Sequence, residues 1–76
     1  MLFTVNKSPF LNRNLERCLR FAPAGAPILL YEDGVYAAKA GTGLESLVRG
    51  ALAAHPVYAL EADLRARGIE NRIDGI

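Results

Sequence analysis

Residues 27–41, PILLYEDGVYAAKAG, constrain the fold of this chain more than any other stretch. Pro27–Tyr31 is apolar at successive positions, the pattern of a strand covered on both faces. The run stops at Glu32, Asp33 and Gly34, then resumes in small residues. Asp-Gly between apolar runs is also a hairpin signal. Val35–Ala40 holds three alanines and a lysine, however, and these suit a helix better than a paired strand. The segment therefore reads as strand, turn and helix, with Asp33 as the N-cap accepting a backbone N–H. In an open α/β sheet, the turn after a strand's carboxyl end is where ligands and partners dock.

The rest of the chain repeats this alternation. Leu2–Val5 is a β-favouring run, ended by Asn6-Lys7-Ser8-Pro9, because Pro9 cannot donate to a ladder and biases Ser8 away from helical backbone. Leu11, Leu15, Cys18, Leu19 and Ala22 then follow the spacing of an amphipathic helix, with Arg13, Glu16, Arg17 and Arg20 largely on the other side. Ser8 as N-cap and Pro9 at the first helical position would open that helix, and Pro23 with Gly25 closes it. Leu44–Ala54 carries a second apolar stripe, Leu44, Leu47, Val48, Ala51 and Leu52, and Pro56 ends it. Val57–Leu60 is a third strand. Glu61–Arg67 is a short helix, acidic early and basic late, with Gly68 as its C′ residue. Ile69–Ile76 starts toward a further strand. The order implies an α/β fold with a mostly parallel sheet and helices on both faces, in one domain spanning residues 1–76. The stop at Gly75-Ile76 falls before such a strand is complete, so the expectation is that the natural protein continues.

A chain of 76 residues buries only about 60–65% of its unfolded surface. With 51% of its residues hydrophobic and 22% charged, it is expected to hide part of its apolar exterior against other subunits. The net charge is +1 and no basic cluster stands out along the chain, so direct nucleic-acid binding is not expected of this chain alone. No apolar run approaches the ~18 residues of a membrane span. The opening MLFTVNK lacks the layout of a secretory signal, and a single cysteine suits a reducing, cytoplasmic setting.

Few residues carry chemistry. Cys18 is the sole thiol, so any sulfur or redox chemistry has one carrier. It reads either as a buried small hydrophobe on the helix stripe or as a nucleophile or persulfide carrier. The second reading needs exposure and a nearby cation. Arg17 and Arg20 are close in sequence, but sequence neighbours on a helix do not face one another. Glu32 and Asp33 stand where an α/β site lies, yet capping and a solvated carboxylate explain them more simply. Asn6–Pro9 lacks the glycines of a phosphate loop. Gly41-Thr42-Gly43 follows a helix rather than a strand and reads as a break between helices, not a dinucleotide fingerprint. One histidine, His55, and one cysteine do not make a metal site. No cofactor or metal is implied.

Three segments, LFTVNKSPF, LERCLRFAPAGAPILLYEDGVYAAKAGT and VYALEADLRARGI, carry a family likeness in order and spacing over nearly the whole chain. The sequence resembles the DsrH/TusB family of sulfur-relay subunits, most specifically in TVNKSPF, ILLYEDGVYAA and YALEADLRARG. The resemblance implies a flavodoxin-like (DsrEFH-like) fold shared with sister subunits, DsrE/TusD and DsrF/TusC. It implies a heterohexamer with two copies of each, which receives persulfide sulfur and passes it to a small carrier protein, DsrC/TusE. In one branch the sulfur reaches 2-thiouridine at the tRNA wobble position, and in the other it belongs to dissimilatory sulfur oxidation. The relay's essential cysteine is implied to lie in the DsrE/TusD subunit, so whether this chain is itself an enzyme stays open. DsrH members carry a cysteine at the place of Cys18, and this with the NKSPF opening makes the chain more similar to DsrH than to TusB. Cys18 is accordingly the candidate sulfur carrier, with a non-catalytic assembly role as the alternative. Phe3 stands where many relatives have histidine. The chain stops before the family's last strand and helix.

Overall fold

Apolar runs too short for helices become three strands, β1 (Phe3–Val5), β2 (Ile28–Leu30) and β3 (Val57–Ala59). They pair in parallel in the order β1-β2-β3, in a computed structural model that describes Leu2–Ile76. The α/β class and the parallel sheet are those expected. The helices expected on both faces pack on one, however, because right-handed crossovers that all advance in the order β1-β2-β3 leave their helices on the same side. Register aligns Phe3, Ile28 and Val57 in one row, and Val5, Leu30 and Ala59 in another. Side chains alternate across a pleated sheet, so both rows share one side. That side is the core, where Val5, Ile28 and Leu30 are almost wholly buried. The row between them, Thr4, Leu29 and Tyr58, faces the other way. There Thr4 and Tyr58 are exposed and Leu29 is half-buried.

Helix α1 (Asn14–Phe21) connects β1 to β2 and packs on β1. It starts later than the sequence suggests. Ser8 caps a separate turn instead, accepting the Leu11 and Asn12 N–H groups on its carbonyl at 3.1 and 3.0 Å and the Phe10 N–H on its hydroxyl at 3.3 Å. The Asn12 side chain then accepts the Asn14 N–H at 2.8 Å. Asn12 offers the backbone the same local partner that Ser8 does, and the helix begins after the second of these turns.

The segment after β2 is a 3-10 helix, Glu32–Ala38. In 3-10 winding, side chains three apart stack on one side, and Val35 and Ala38 are both fully buried. Asp33 does not cap this helix. Tyr31 takes the N-cap position without a side-chain bond, and Asp33 reaches Arg67 instead. The tight start is enforced by Gly34. A Cβ there would stand 2.0 Å from the Val5 carbonyl oxygen, so only glycine lets the helix lie on the end of β1.

Helix α2 (Glu45–Leu52) leads to β3, and α3 (Glu61–Ala66) follows it. Gly68, at φ +66°, ends α3 as expected. The Ile69 N–H bonds the Leu64 carbonyl at 3.0 Å and the Gly68 N–H the Arg65 carbonyl at 3.1 Å, the closing pair of a left-handed helix stop. The expected strand over Ile69–Ile76 does not form. The Ala40 N–H bonds the Asn71 carbonyl and the Ile73 N–H bonds the Ala38 carbonyl, giving one antiparallel bridge, Lys39 with Arg72. Ile69 and Ile73 drop into the core. Burying those two side chains beside the 3-10 helix takes precedence over extending the sheet.

Replacing Gly34 with alanine is expected to destabilise the chain by more than about 2 kcal/mol. The same change at Gly43, where an added Cβ meets nothing within 4 Å, is expected to be neutral. Urea denaturation of the two variants checks the contrast.

Candidate functional site

Leu15, Cys18 and Leu19 lie on the inner side of α1. Leu15 belongs to the core, and Cys18 and Leu19 pack half-buried against it. Burial pushes the Cys18 thiol above its ordinary value of 9.0, and no cation acts against that rise. Arg17 and Arg20 instead line a groove on the outer side of α1 with Arg13 and Glu16. At neutral pH the thiolate, the nucleophilic form, is therefore scarce.

The turn after β2 holds a different arrangement. The Glu32 N–H donates to Asp63 Oδ2 at 2.7 Å, which holds Glu32 at a left-handed φ of +47°. Arg67 Nε donates to Asp33 Oδ1 at 2.9 Å, while Arg67 Nη1 donates to the Asp63 carbonyl at 3.3 Å and lies 3.6 Å from Asp63 Oδ1. Asp33 is thus committed to tying α3 to the strand end, and the Glu32 carboxylate is exposed with no ion pair among the described residues. Asp63 and Arg67 escaped notice in the sequence. Their own spacing of four is readable on a helix, but Asp33 lies 34 residues from Arg67.

His55 is a structural residue here. It is buried, and its Nδ1 lies 2.9 Å from the Ala26 carbonyl oxygen. A carbonyl only accepts, so Nδ1 carries the proton, and the bond ties the end of α2 to the start of β2. Gly41-Thr42-Gly43 is the helix break expected. The Gly41 N–H donates to Glu45 Oε1 at 2.6 Å and the Leu44 N–H to Thr42 Oγ1 at 3.2 Å. The Gly41 bond and Arg49 together hold the Glu45 carboxyl below its usual range. Among the described residues, no three His, Cys, Asp or Glu side chains converge as a metal site would require. No helix among them is long and apolar enough to cross a membrane. Large apolar side chains stand in solvent at Leu2, Phe10, Leu11, Phe21, Tyr58 and Leu60.

Cys18 is expected to react with iodoacetamide more slowly at pH 7 than a free cysteine, with a rate profile whose midpoint lies above that of the free thiol. Folding itself is linked to that titration. The folded-state pKa is raised, so the contribution is complete below the unfolded value and is lost as pH rises through the folded one. Stability is therefore expected to fall above about pH 9, and that alkaline loss is expected to shrink in Cys18→Ala. Denaturation across an alkaline pH series measures it.

Comparison with known proteins supplies what the geometry does not. Residues 7–76 match the family model described as DsrH-like protein. Protein TusB of Serratia proteamaculans (strain 568) is 41% identical over 70 residues, covering 91% of this chain and 70% of that protein. Protein TusB of Escherichia coli O1:K1 / APEC is 43% identical over 74 residues, covering 96% and 74%. Protein TusB of Erwinia tasmaniensis is 41% identical over 70 residues, covering 91% and 70%.

Proposed function

The chain belongs to the DsrH-like family, and on that footing we propose that it is a subunit of a sulfur-relay complex. The complex is cytoplasmic and unites this single domain with DsrE/TusD-like and DsrF/TusC-like sisters in a heterohexamer. It passes persulfide sulfur to a DsrC/TusE-like carrier, for tRNA 2-thiouridine synthesis or for dissimilatory sulfur oxidation. This subunit contacts neither nucleic acid nor membrane directly. The observation that carries the reading is apolar surface left in water on a member of this family. The Thr4–Leu29–Tyr58 row is open, and Leu2, Phe21 and Leu60 are exposed. Parallel sheets are normally covered on both sides, and exposed apolar area of this kind marks contact surfaces.

Within the complex, the state of Cys18 favours assembly over sulfur transfer by this chain. A half-buried thiol with a raised pKa packs well and attacks poorly. The carrier cysteine of the relay then belongs to a sister subunit.

Coexpression with the two sister subunits, followed by size exclusion with light scattering, tests the assembly. Wild type is expected to co-elute with both, and Tyr58→Asp to lose at least tenfold in the co-eluting fraction while keeping its far-UV circular dichroism. A wild-type chain that elutes alone would sink the proposal. For the thiol, mass spectrometry after exposure of the complex to a persulfide donor is expected to show no adduct on Cys18. Cys18→Ala is expected to leave transfer intact at a cost of about 1 kcal/mol in stability. An adduct together with lost transfer would make Cys18 a carrier.

A further inference from the structure

Spacings of four and three bring Arg13, at the N-cap of α1, and Arg17 and Arg20 within it to one stripe. All three are exposed. Of the four other arginines, three are engaged with carboxylates, and Arg72 is not. Arg49 holds Glu45 at 2.9 Å, Arg65 holds Glu61 at 2.6 Å, and Arg67 holds Asp33 at 2.9 Å. Among the described residues, none of the α1 arginines has a carboxylate within 4 Å. Glu16 is the one acidic group beside them, and all four line the same groove. Three guanidiniums less one carboxylate leave +2 on this face, against +1 for the whole chain, so the remaining surface is net negative. A second concavity, of about 540 Å³, opens beside the stripe between the Pro9–Asn14 loop and α1. Large apolar side chains stand at the two ends of α1, Leu11 at 90% exposure just ahead of it and Phe21 at 74% as its last residue.

We propose that the outer face of α1 docks an acidic amphipathic helix of a partner protein, whose carboxylates meet Arg13, Arg17 and Arg20 and whose apolar residues meet Leu11 and Phe21. The dimensions suit a helix. At 1.5 Å per residue the arginines span about 10 Å, which two turns of a facing helix match with carboxylates at spacings of four and three. Arginine is also the cation best shaped for paired bonds to carboxylate. A nucleic-acid strand is a poorer fit. Glu16 sits among the guanidiniums, where a protein can set a lysine opposite it and a phosphate backbone cannot. Leu11 likewise needs an apolar counterpart that a phosphate backbone does not offer.

The probe is a labelled synthetic helix of about fifteen residues. It carries glutamates at spacings of four and three, one lysine between them and a leucine at each end. Fluorescence anisotropy with the full chain is expected to show binding that weakens between about 50 and 200 mM salt. Arg17→Glu is expected to weaken it at least tenfold with unchanged circular dichroism. A peptide with lysine in place of the facing glutamate is expected to recover binding to that variant. A uridine oligonucleotide is expected to bind more weakly than the peptide. Absence of peptide binding, equal binding to Arg17→Glu, or tighter binding of the oligonucleotide would each overturn the proposal. None of these outcomes depends on assembly with the sister subunits.

Discussion

Where β1 ends, the Val5 carbonyl oxygen occupies the space that any side chain at residue 34 would need. Gly34 is what lets the 3-10 helix lie there, and much of the molecule is organised from that contact. The helix packs on β2, α2 and α3, and it buries Val35, Ala37 and Ala38 in the common core. Its far end carries the carbonyl of Ala38 to Ile73, so the last residues are anchored through it too. The Arg67 grip on Asp33 and Asp63 fixes its near end. Arg67 and Asp63 are half-buried and Asp33 is exposed. Ion pairs at a surface contribute only about 0–1 kcal/mol, so the grip orients α3 more than it stabilises it. Apolar packing around a side-chain-free residue holds the fold, and the ion pairs set its geometry.

That division explains what could be read in the sequence. β-favouring runs, the alternation with helices and the Gly68 stop are local signals, and they survive into the structure. Asp33 and Ile69–Ile76 went otherwise because the deciding partner was out of local view, and Ser8 because a second polar side chain four residues on offers a later start. Asn12 competes for the helix start, Arg67 draws Asp33 away, and burial of Ile69 and Ile73 beside the 3-10 helix outweighs sheet extension. The arginine stripe was legible in principle. Its spacing is helical, and only a count made along the chain rather than around the helix hides it.

The two sides of the sheet carry the argument for assembly. On one, residues from all three strands disappear beneath helices and the C-terminal turn. On the other, Thr4 and Tyr58 meet water, in a fold class whose strands are usually covered above and below. A sheet so lopsided loses part of the hydrophobic gain that its composition makes available, at roughly 25 cal/mol for each Å² left exposed. Contact with other polypeptide recovers that gain, and the same desolvated contact fixes how a subunit sits against its neighbours.

Helix α1 separates two chemistries that a reactive cysteine would have to combine. Residues along a helix turn by roughly 100° each, so the step from Arg17 to Cys18 crosses from the outer face to the inner one. The thiol therefore sits against the core with its pKa raised, while the Arg17 guanidinium one position away faces solvent. Rotating a side chain does not close that gap, because the backbone sets it. Turning Cys18 into a good nucleophile demands a cation delivered from another chain to the inner side of α1, or a movement of α1 off β1 that lets water reach the sulfur. Docking on the arginine face accomplishes neither. A partner held there leaves the thiol as it is, and the outer face serves recognition while the inner face serves packing.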